Sequence, residues 1–287
     1  MKITLCRLAM SAMVLTTAAT GIASAQNACG SSITMCGCTI TSPGTYTIGA
    51  DLTAAQGLTS RNGCIDIAAE KVMLITEGHQ VTGAGTGTGI GIHLLSSADN
   101  VFLEGGGTDG AGVSTSFTTL KGWRYGLESD ARDVVSDFFN YDENVTGVFL
   151  RGARNNNIND FGASSNTVYG VWIKGGSGNQ INCSNATNNG VAGTYLGCSS
   201  TGPSGRACKE DEATSNGNLI YDHGSTNFGT GAQSYGIAVE RGSKRNTLMD
   251  LFTTGNTVDD LFDGNPNCDK NLWQVNTFKT TNQSCIH

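Results

Sequence analysis

Short apolar runs recur along the chain, and a glycine precedes each of them. The glycines are Gly89, Gly126, Gly147, Gly170, Gly190 and Gly236, with the copy at Gly190 the loosest. The first and third residues after the glycine are mostly apolar, as in Val148/Leu150 and Val171/Ile173. Successive copies lie 21 residues apart from Gly126 to Gly147 and 23 from Gly147 to Gly170. A period in the low twenties predicts a solenoid.

A second column repeats between these runs: Asn, or once Asp, then any residue, then an apolar residue. Its first members are Asn100, Asp133, Asn156, Asn179, Asn218, Asn246 and Asn271. Asn tolerates a left-handed backbone at a tight turn, and stacked Asn side chains form hydrogen-bonded ladders. The runs are short and rich in Val, Ile, Leu and Phe, and no amphipathic helix separates them. These features predict an all-β chain, a parallel β-helix of about seven coils spaced by about 4.8 Å.

The alternation of side chains along a strand predicts which residues point outward. The second position after the glycine holds Gly91, Glu128, Phe149, Trp172, Ala192 and Ala238, and the fourth holds His93, Asp130, Arg151, Lys174, Thr194 and Glu240. Phe149 and Trp172 are therefore predicted to be exposed and stacked in adjacent coils, a surface suited to a sugar ring. His93 and Glu240 are further candidates for substrate binding. The alternative is that an insertion covers the two aromatic rings as a satellite core.

The first 25 residues resemble a secretory signal peptide, with Lys2 and Arg7 before an apolar run and Ala23-Ser24-Ala25 at its end. We expect residues 26–287 to form one exported domain, extracellular or periplasmic, with no membrane span. Cleavage leaves 15 basic and 24 acidic residues, so the net charge changes from −7 to −9. This balance argues against nucleic acid as a partner.

Nine cysteines remain after the signal segment, so at least one is unpaired. We expect Cys198 to pair with Cys208 and Cys268 with Cys285. Two further bonds fit among Cys29, Cys36, Cys38 and Cys64; a Cys38–Cys64 bond is favoured, and the pairing of Cys29 and Cys36 stays open. Cys183 follows Ile181 in a strand and is expected to be a free, buried thiol. Bonds at both ends would tie the solenoid.

Two coils are longer than the others, with the excess at residues 104–122 and 194–217. From Gly190 to Asn218 the chain runs 28 residues, whereas from Gly170 to Asn179 it runs 9. Insertions of this kind form loops on one face of a solenoid, often the binding face. The second insertion also carries the Cys198–Cys208 pair.

The two columns resemble the right-handed parallel β-helix repeats of the pectin-lyase-like (pectate lyase and polygalacturonase-like) secreted proteins. The resemblance extends from Cys38 to the C-terminus and includes Pro43-Gly44-Thr45-Tyr46 at the start and Asn271-Leu272-Trp273 at the end. It implies a right-handed parallel β-helix. It does not by itself assign a reaction, because one fold supports many functions.

The lyases that the chain resembles use calcium held by carboxylates and a basic side chain that removes a proton beside a uronate carboxylate. By this resemblance, Glu128 and Asp130 are the candidate calcium ligands, and Arg151 or Lys174 is the candidate base. The dense aspartate cluster of the related hydrolases is missing. The sequence therefore leaves catalysis open, and Ca²⁺ is a candidate cofactor only through the resemblance.

Two functional hypotheses follow. The first is a secreted β-helix that binds an extracellular polysaccharide on the face of its first sheet, with or without lyase-type or hydrolytic cleavage. The rival is a non-catalytic structural or adhesive solenoid. The missing aspartate cluster favours the rival, whereas Phe149, Trp172 and the two insertions favour the first.

Overall fold

The computed structural model of the chain describes residues 27–54, 62–85, 87–108, 114–203, 207–208, 214–227 and 232–287. The predicted signal segment, residues 1–25, lies outside the described residues. The strands are β1 (Asn27–Ala28), β2 (Ser32–Ile33), β3 (Cys38–Ile40), β4 (Gly44–Ile48), β5 (Leu52–Thr53), β6 (Gly63–Ile67), β7 (Val72–Ile75), β8 (Val81–Thr82), β9 (Ile90–Leu94), β10 (Asp99–Glu104), β11 (Gly106–Thr108), β12 (Ser114–Lys121), β13 (Tyr125–Ser129), β14 (Arg132–Asp142), β15 (Thr146–Arg151), β16 (Asn157–Ser164), β17 (Tyr169–Lys174), β18 (Gln180–Thr187), β19 (Ala192–Leu196), β20 (Leu219–Thr226), β21 (Tyr235–Val239), β22 (Thr247–Thr254), β23 (Asp259–Asp263) and β24 (Leu272–Gln274). A single 3-10 turn, Pro266–Cys268, is the one helical element among the described residues.

The chain passes alternately through two parallel sheets. Sheet A contains β1-β3-β6-β9-β13-β15-β17-β19-β21-β23 in that order, and sheet B runs β2-β4-β7-β10-β14-β16-β18-β20-β22-β24 with β5, β8 and β12 at its side. The fold is the predicted right-handed parallel β-helix. The ten strands of sheet A make nine steps of about 4.8 Å, so the stack is about 43 Å long. Sheet A has ten strands and not the predicted seven, because strands without the glycine motif are added at both ends: β1, β3 and β6 at the N-terminal end and β23 at the C-terminal end.

The interior confirms the predicted alternation in the central coils. Val148, Leu150, Val171 and Ile173 are fully buried in the central core cluster. The copies at Gly89 and Gly190 follow a different frame, because Ile92 pairs with Leu127 and Thr194 pairs with Val171. Gly91 and Gly193 are thus the structural equivalents of Gly126 and Gly170. His93 consequently stands beside Glu128 on the neighbouring strand, and not beside Asp130 as the sequence frame implied.

The turn from sheet A to sheet B contains five members of the predicted Asn column as a buried ladder: Asn156, Asn179, Asn218, Asn246 and Asn271. The prediction is wrong for Asn100 and Asp133, which are exposed and lie one residue before the ladder position, because Val101 and Val134 occupy that position in their coils. The backbone N–H of Asn179 donates to Oδ1 of Asn218 at 3.1 Å, and the N–H of Asn218 donates to Oδ1 of Asn246 at 3.0 Å. The residue before each ladder position has a left-handed backbone with φ of 54–69°. This left-handed column consists of Lys71, Asn100, Asp133, Asn155, Gly178, Gly217, Arg245 and Lys270.

The long strands of sheet B bend at a second left-handed column, formed by Phe138, Asp160, Cys183, Asp222 and Asp250. The prediction that Cys183 is free is confirmed, but the prediction that it is buried is wrong, because its side chain is exposed. The physical reason is the bend. A left-handed residue breaks the in-out alternation that starts at Ile181, so Ser184 and Ala186 point inward instead.

Four disulfides are present. The predicted Cys198–Cys208 and Cys268–Cys285 bonds are confirmed. The favoured Cys38–Cys64 bond is wrong: Cys38 pairs with Cys29, and Cys64 pairs with Cys36. Cys38 lies on β3 beside β1, which brings its Cα within 4.9 Å of the Cα of Cys29, and the Cα atoms of Cys36 and Cys64 are 4.3 Å apart. The first pairing depends on the short strand β1, for which the sequence carries no glycine motif.

The long coils add structure at the edges of the solenoid. In the first, β11 pairs antiparallel with the start of β12, and the end of β12 then runs parallel to β14. In the second, Gly197 and Cys198 follow β19 and lie against the outer side of sheet A. Among the residues that the structure describes, no helix is long and apolar enough to cross a membrane.

Candidate functional site

One row of side chains crosses the outer face of sheet A, and it changes from ionisable to aromatic residues along its length. From the N-terminal end the aligned residues are Asp66, His93, Glu128, Phe149, Trp172, Tyr195, Ala238 and Phe262. The first three are ionisable and the next three are aromatic. The strand register therefore places an acid-base cluster directly beside an aromatic stack, because adjacent strands are only about 4.8 Å apart.

A cleft of about 580 Å³ opens where the two parts of the row meet. It is lined by Ile90, His93, Leu95, Arg124, Tyr125, Glu128, Asp130, Phe149 and Arg151. This volume lies within the range of small-ligand sites, and such sites combine apolar walls with a few convergent polar groups. The cleft gathers four predicted acid-base or substrate residues, His93, Glu128, Asp130 and Arg151, together with Phe149.

His93 is the most unusual member of the cleft. Its Nδ1 lies 3.2 Å from Oδ1 of Asp66, and the side chain is almost fully buried, with the residue only 6% exposed. Its Nε2 is buried and has no hydrogen-bond partner among the described residues. Asp66 is itself fixed by the backbone N–H of Gly63 at 2.8 Å. A carboxylate on Nδ1 holds that nitrogen as the donor, so Nε2 is the acceptor of the neutral ring.

Glu128 is buried beside His93. Burial raises the pKa of the Glu128 carboxyl, while the positive charge of Arg151, and that of His93 when its ring is protonated, acts in the opposite direction. Oε1 of Glu128 lies 3.0 Å from Nη2 of Arg151. A carboxyl with a raised pKa keeps its proton to higher pH than an exposed glutamic acid and can donate it to a reacting group.

Arg151 links the two carboxylates of the cleft. Its Nε donates to Oδ1 of Asp130 at 2.8 Å, and its Nη2 donates to Oδ2 at 2.5 Å. The bonds to Asp130, above all, raise the pKa of Arg151. An arginine in this fork stays protonated. The geometry therefore favours Arg151 as a fixed cation and not as the base that the resemblance suggested.

Two stacked rings form one wall of the cleft. The Tyr125 and Phe149 centroids are 4.7 Å apart, and the guanidinium carbon of Arg124 lies 5.1 Å from the Tyr125 centroid. Burial raises the pKa of the Tyr125 phenol, which therefore remains a hydrogen-bond donor. The wall offers apolar ring atoms of Tyr125 and Phe149 beside the cation of Arg124.

The donor set does not fit the calcium site that the resemblance implies. His93, Glu128 and Asp130 each place one ligand atom within 4.8 Å of the others. Calcium requires six to eight oxygen ligands, whereas this cluster offers two carboxylates and one imidazole. Both carboxylates are also bonded to Arg151, whose charge opposes a second cation. We derive no step through calcium.

The predicted exposure of Phe149 and Trp172 is wrong. Their rings do stack, with centroids 4.4 Å apart, but the residues are only 4% and 5% exposed. The indole Nε1 of Trp172 donates to the carbonyl oxygen of Gly197 at 2.8 Å, and Tyr195 and Tyr169 belong to the same buried cluster. The second insertion thus covers the stack as a satellite core, which was the alternative interpretation. Of Phe149 and Trp172, only Phe149 lines the cleft.

Lys174 and Glu240 lie outside the cleft. Nζ of Lys174 is 5.5 Å from the centroid of the Trp172 ring. Glu240 is buried under the second insertion, where it accepts hydrogen bonds from the Tyr195 hydroxyl and from the backbone N–H of Cys198. Its carboxylate holds the disulfide loop in place, so its location does not favour the predicted substrate contact.

Sequence reasoning missed Arg124 and Tyr125, which line the cleft, and Asp66, which lies behind it and holds His93. Asp66 lies in Cys64-Ile65-Asp66-Ile67, whose alternation matches Ile92-His93-Leu94 once Gly91 is taken as the repeat glycine. This register was the signal available in the sequence. Arg124 and Tyr125 precede the repeat glycine Gly126, a position that the two columns did not cover.

Comparison with solved structures finds the same fold in proteins of very different sequence. The Dettilon tailspike protein aligns with a TM-score of 0.53 at 13% identity, over 82% of this chain and 47% of the tailspike chain. Pectate lyase Pel9A aligns at 0.46 and 12% identity over 88% and 71%, and a mutant of the periplasmic alginate epimerase AlgG at 0.46 and 13% over 80% and 59%. The chain thus spans about half the length of the tailspike.

Sequence comparison finds no matching protein family and no matching curated protein. The tailspike match, with a TM-score of 0.53 at 13% identity, supports the fold and nothing beyond the fold. The chain has the right-handed parallel β-helix fold, the fold that its glycine and asparagine columns predicted.

Proposed function

We propose that the protein is exported and binds an acidic polysaccharide across the cleft, where it removes a proton from the carbon next to a uronate carboxylate. Four disulfides support an oxidising compartment, outside the cell or in the periplasm. The printed names of the structural matches, a pectate lyase and an alginate epimerase among them, agree with a polysaccharide as the partner.

The observation that carries the proposal is the state of His93. Asp66 holds one ring nitrogen, and the other is buried beside the cleft with no partner among the described residues. A neutral imidazole in this state is a proton acceptor. Arg151 and Arg124 place positive charge beside it, which offsets a uronate carboxylate and eases removal of the adjacent proton.

Glu128 is the general acid of the proposed reaction. In the elimination we propose, the C5 proton of the uronate moves to Nε2 of His93 and a C4–C5 double bond forms. The C4–oxygen bond breaks, and the leaving oxygen takes the proton of Glu128, whose raised pKa keeps the carboxyl protonated to higher pH. Tyr125 and Phe149, stacked on each other, provide the apolar wall beside which the sugar lies.

The test is an assay for unsaturated uronate products. The mature protein is incubated with polygalacturonate, with polymannuronate and with neutral dextran, and the ultraviolet absorbance of the new double bond is followed. We expect product from at least one uronate polymer and none from dextran. His93→Gln and Glu128→Gln should each lower kcat by at least about 100-fold.

The control variant is Lys174→Ala, which removes a cation outside the cleft and should retain the wild-type rate. A chelator should leave the rate unchanged, because the donor set does not fit calcium. Absence of product from both uronate polymers, or full activity of His93→Gln, contradicts the proposed reaction.

One observation favours the non-catalytic rival. Arg151 is already bonded to Asp130 and Glu128, so a uronate carboxylate must share or replace these bonds. A protein that binds the polysaccharide in the cleft without product formation would be a binding solenoid. The same assay, combined with a binding measurement, separates the two functions.

A further inference from the structure

A second groove lies at the C-terminal end of the solenoid, on the turn side between the sheets. It has a volume of about 600 Å³, and its charged lining consists of Arg241, Lys244, Arg245, Lys270 and Asp269. Four cations and one carboxylate give this groove a charge of 4 − 1 = +3, whereas the whole chain carries −7. A concave surface lined by one sign of charge attracts ligands of the opposite sign.

Three of the four cations of this basic groove are available to a ligand. Lys244 is bonded to Asp269, with Nζ and Oδ2 2.6 Å apart. Arg241, Arg245 and Lys270 are exposed, and none of them has an ion pair with another described residue. Strand pairing aligns Arg245 with Lys270 on adjacent coils, so their backbones are about 4.8 Å apart. Among the residues that the structure describes, the groove thus contains three cations without an ion-pair partner.

The backbone at two of these cations is strained. Arg245 and Lys270 have φ of 59° and 69° and occupy the left-handed column that the five preceding coils fill with Asn, Asp or Gly. A left-handed residue other than Gly costs about 1–3 kcal/mol, with Asn and Asp at the low end, and such strain is typical of functional positions. Fold stability alone would favour Asn or Gly here. Strain alone assigns no role, because Lys71 occupies the same column at the other end of the solenoid. At Arg245 and Lys270, however, the two cations lie on adjacent coils and both line the groove.

We propose that the basic groove binds the anionic groups of an acidic polysaccharide, as a second site separate from the cleft. None of its lining residues is aromatic, so it offers no stacking surface for nucleic acid bases. The anion specificity rests on the groove alone, and only the choice of a polysaccharide as the carrier rests on the proposed function. The groove and the cleft lie several coils apart, so one long chain contacting both would be held at two points.

The test compares affinities of the full mature chain for polygalacturonate, which carries carboxylates, for heparin, which carries sulfates, for neutral dextran and for a DNA oligonucleotide. Lys270→Asn should weaken binding of a polyanionic polysaccharide by about fivefold at about 0.01 M ionic strength, and the double variant Arg245→Asn/Lys270→Asn by about 20-fold. Both changes place a residue that tolerates the left-handed backbone, so the fold is retained. The loss should shrink as salt is added.

Lys71→Asn is the matched control. Lys71 belongs to the same left-handed column, with φ of 55°, but lies at the other end of the solenoid and is near Glu70. This variant makes the same charge change and should leave the affinity unaltered. The polymer that shows the loss identifies carboxylate or sulfate as the group recognised.

Three results would overturn the proposal: no loss with either polymer in the double variant, an equal loss in Lys71→Asn, or tighter binding of DNA than of both polysaccharides. Turnover of a short uronate oligosaccharide is measured in the same variants. It should be unchanged, because a short substrate occupies the cleft alone. Failure of the cleft chemistry is therefore visible separately from failure of the basic groove.

Discussion

His223 shows how a single residue can make the stability of the protein depend on pH. Its ring lies inside the solenoid, with Nδ1 2.7 Å from the Ser184 hydroxyl and Nε2 2.9 Å from the Thr194 hydroxyl. Burial lowers the pKa of His223 from 6.5 to about 4. The folded protein therefore keeps the ring neutral at pH values where the unfolded chain already binds a proton.

The lowered pKa of His223 determines the direction in which stability changes with pH. The stability associated with neutral His223 is present above pH 6.5 and is lost as the pH falls towards 4, by up to about 3 kcal/mol. We expect urea unfolding to show a smaller loss between pH 7 and pH 4.5 in His223→Gln than in the wild type. An equal pH dependence of the two proteins would show that His223 does not titrate in this way.

Glu128 leads to a prediction about activity. In the proposed reaction it acts as the acid, so the rate falls as the pH rises through its pKa, which burial raises above the ordinary value. The high-pH limb of the kcat profile should therefore lie above the ordinary pKa of glutamic acid, and the residual rate of Glu128→Gln should lack this limb. A limb that persists in Glu128→Gln would assign the titration to another group.

The variant Trp172→Ala tests whether the Trp172 ring is buried, as in the structure, or exposed, as the sequence predicts. Because the ring is buried between Phe149 and the second insertion, Trp172→Ala should lower the free energy of unfolding by about 3–5 kcal/mol. Lys174→Ala, on the same strand but half-exposed, is the control and should change it by less than about 1 kcal/mol. Urea denaturation measures both. A small effect of Trp172→Ala would restore the exposed binding surface that the sequence suggested.

At the residue scale, the sequence predicts which way a side chain points better than it predicts what covers that side chain. Strand alternation places Phe149 and Trp172 correctly, outside the main core and on adjacent strands. Their burial depends on Gly197 in the second insertion, whose path has no repeat to predict it. His93 illustrates the other error: a two-residue shift of frame keeps the same inward and outward pattern, so periodicity cannot detect it.

The Asn ladder is the element that fixes one turn of every central coil. Nδ2 of Asn179 donates to the carbonyl oxygen of Ala153, and its Oδ1 accepts the backbone N–H of Asn156 at 3.0 Å. Both partners are buried, and removing the amide leaves the Asn156 N–H without this acceptor, whereas the Ala153 oxygen still accepts the Ser177 N–H at 3.1 Å. A buried polar group without a partner costs about 1–3 kcal/mol.

We therefore expect Asn179→Ala to lower the free energy of unfolding by about 1–3 kcal/mol. Asn157→Ala is a matched control in the neighbouring coil, because Oδ1 of Asn157 is buried without a hydrogen-bond partner among the described residues. This change should cost clearly less. Equal effects in chemical denaturation would mean that the ladder bonds add little.

The elements were predictable where turn chemistry repeats. The ladder position holds Asn in five successive coils, Asn156 to Asn271, so Asn identifies it there without reference to the rest of the chain. Asn also suits the left-handed position one residue earlier, and for that reason the sequence misplaces Asn100 and Asp133. The N-terminal disulfides were not predictable, because three pairings of four cysteines are possible and spacing alone does not choose among them. The choice depends on β1, a strand of two residues.

The whole molecule was the most predictable level. In a solenoid each coil contacts mainly its neighbours, so a repeated sequence pattern determines the global fold. The functional sites were less predictable, because each combines residues that differ from coil to coil. Asp66, His93, Glu128 and Arg151 come from four successive strands of sheet A and meet only through the strand register.

The central claim is that the cleft of His93, Glu128 and Arg151 holds a uronate, and a crystal structure of Glu128→Gln with a uronate hexasaccharide tests it most directly. The account predicts a sugar ring against Tyr125 and Phe149, with its carboxylate at Arg151 or Arg124 and its C5 about 3–3.5 Å from Nε2 of His93. Ordered sugar bound only elsewhere, or an empty cleft at saturating ligand, would contradict it.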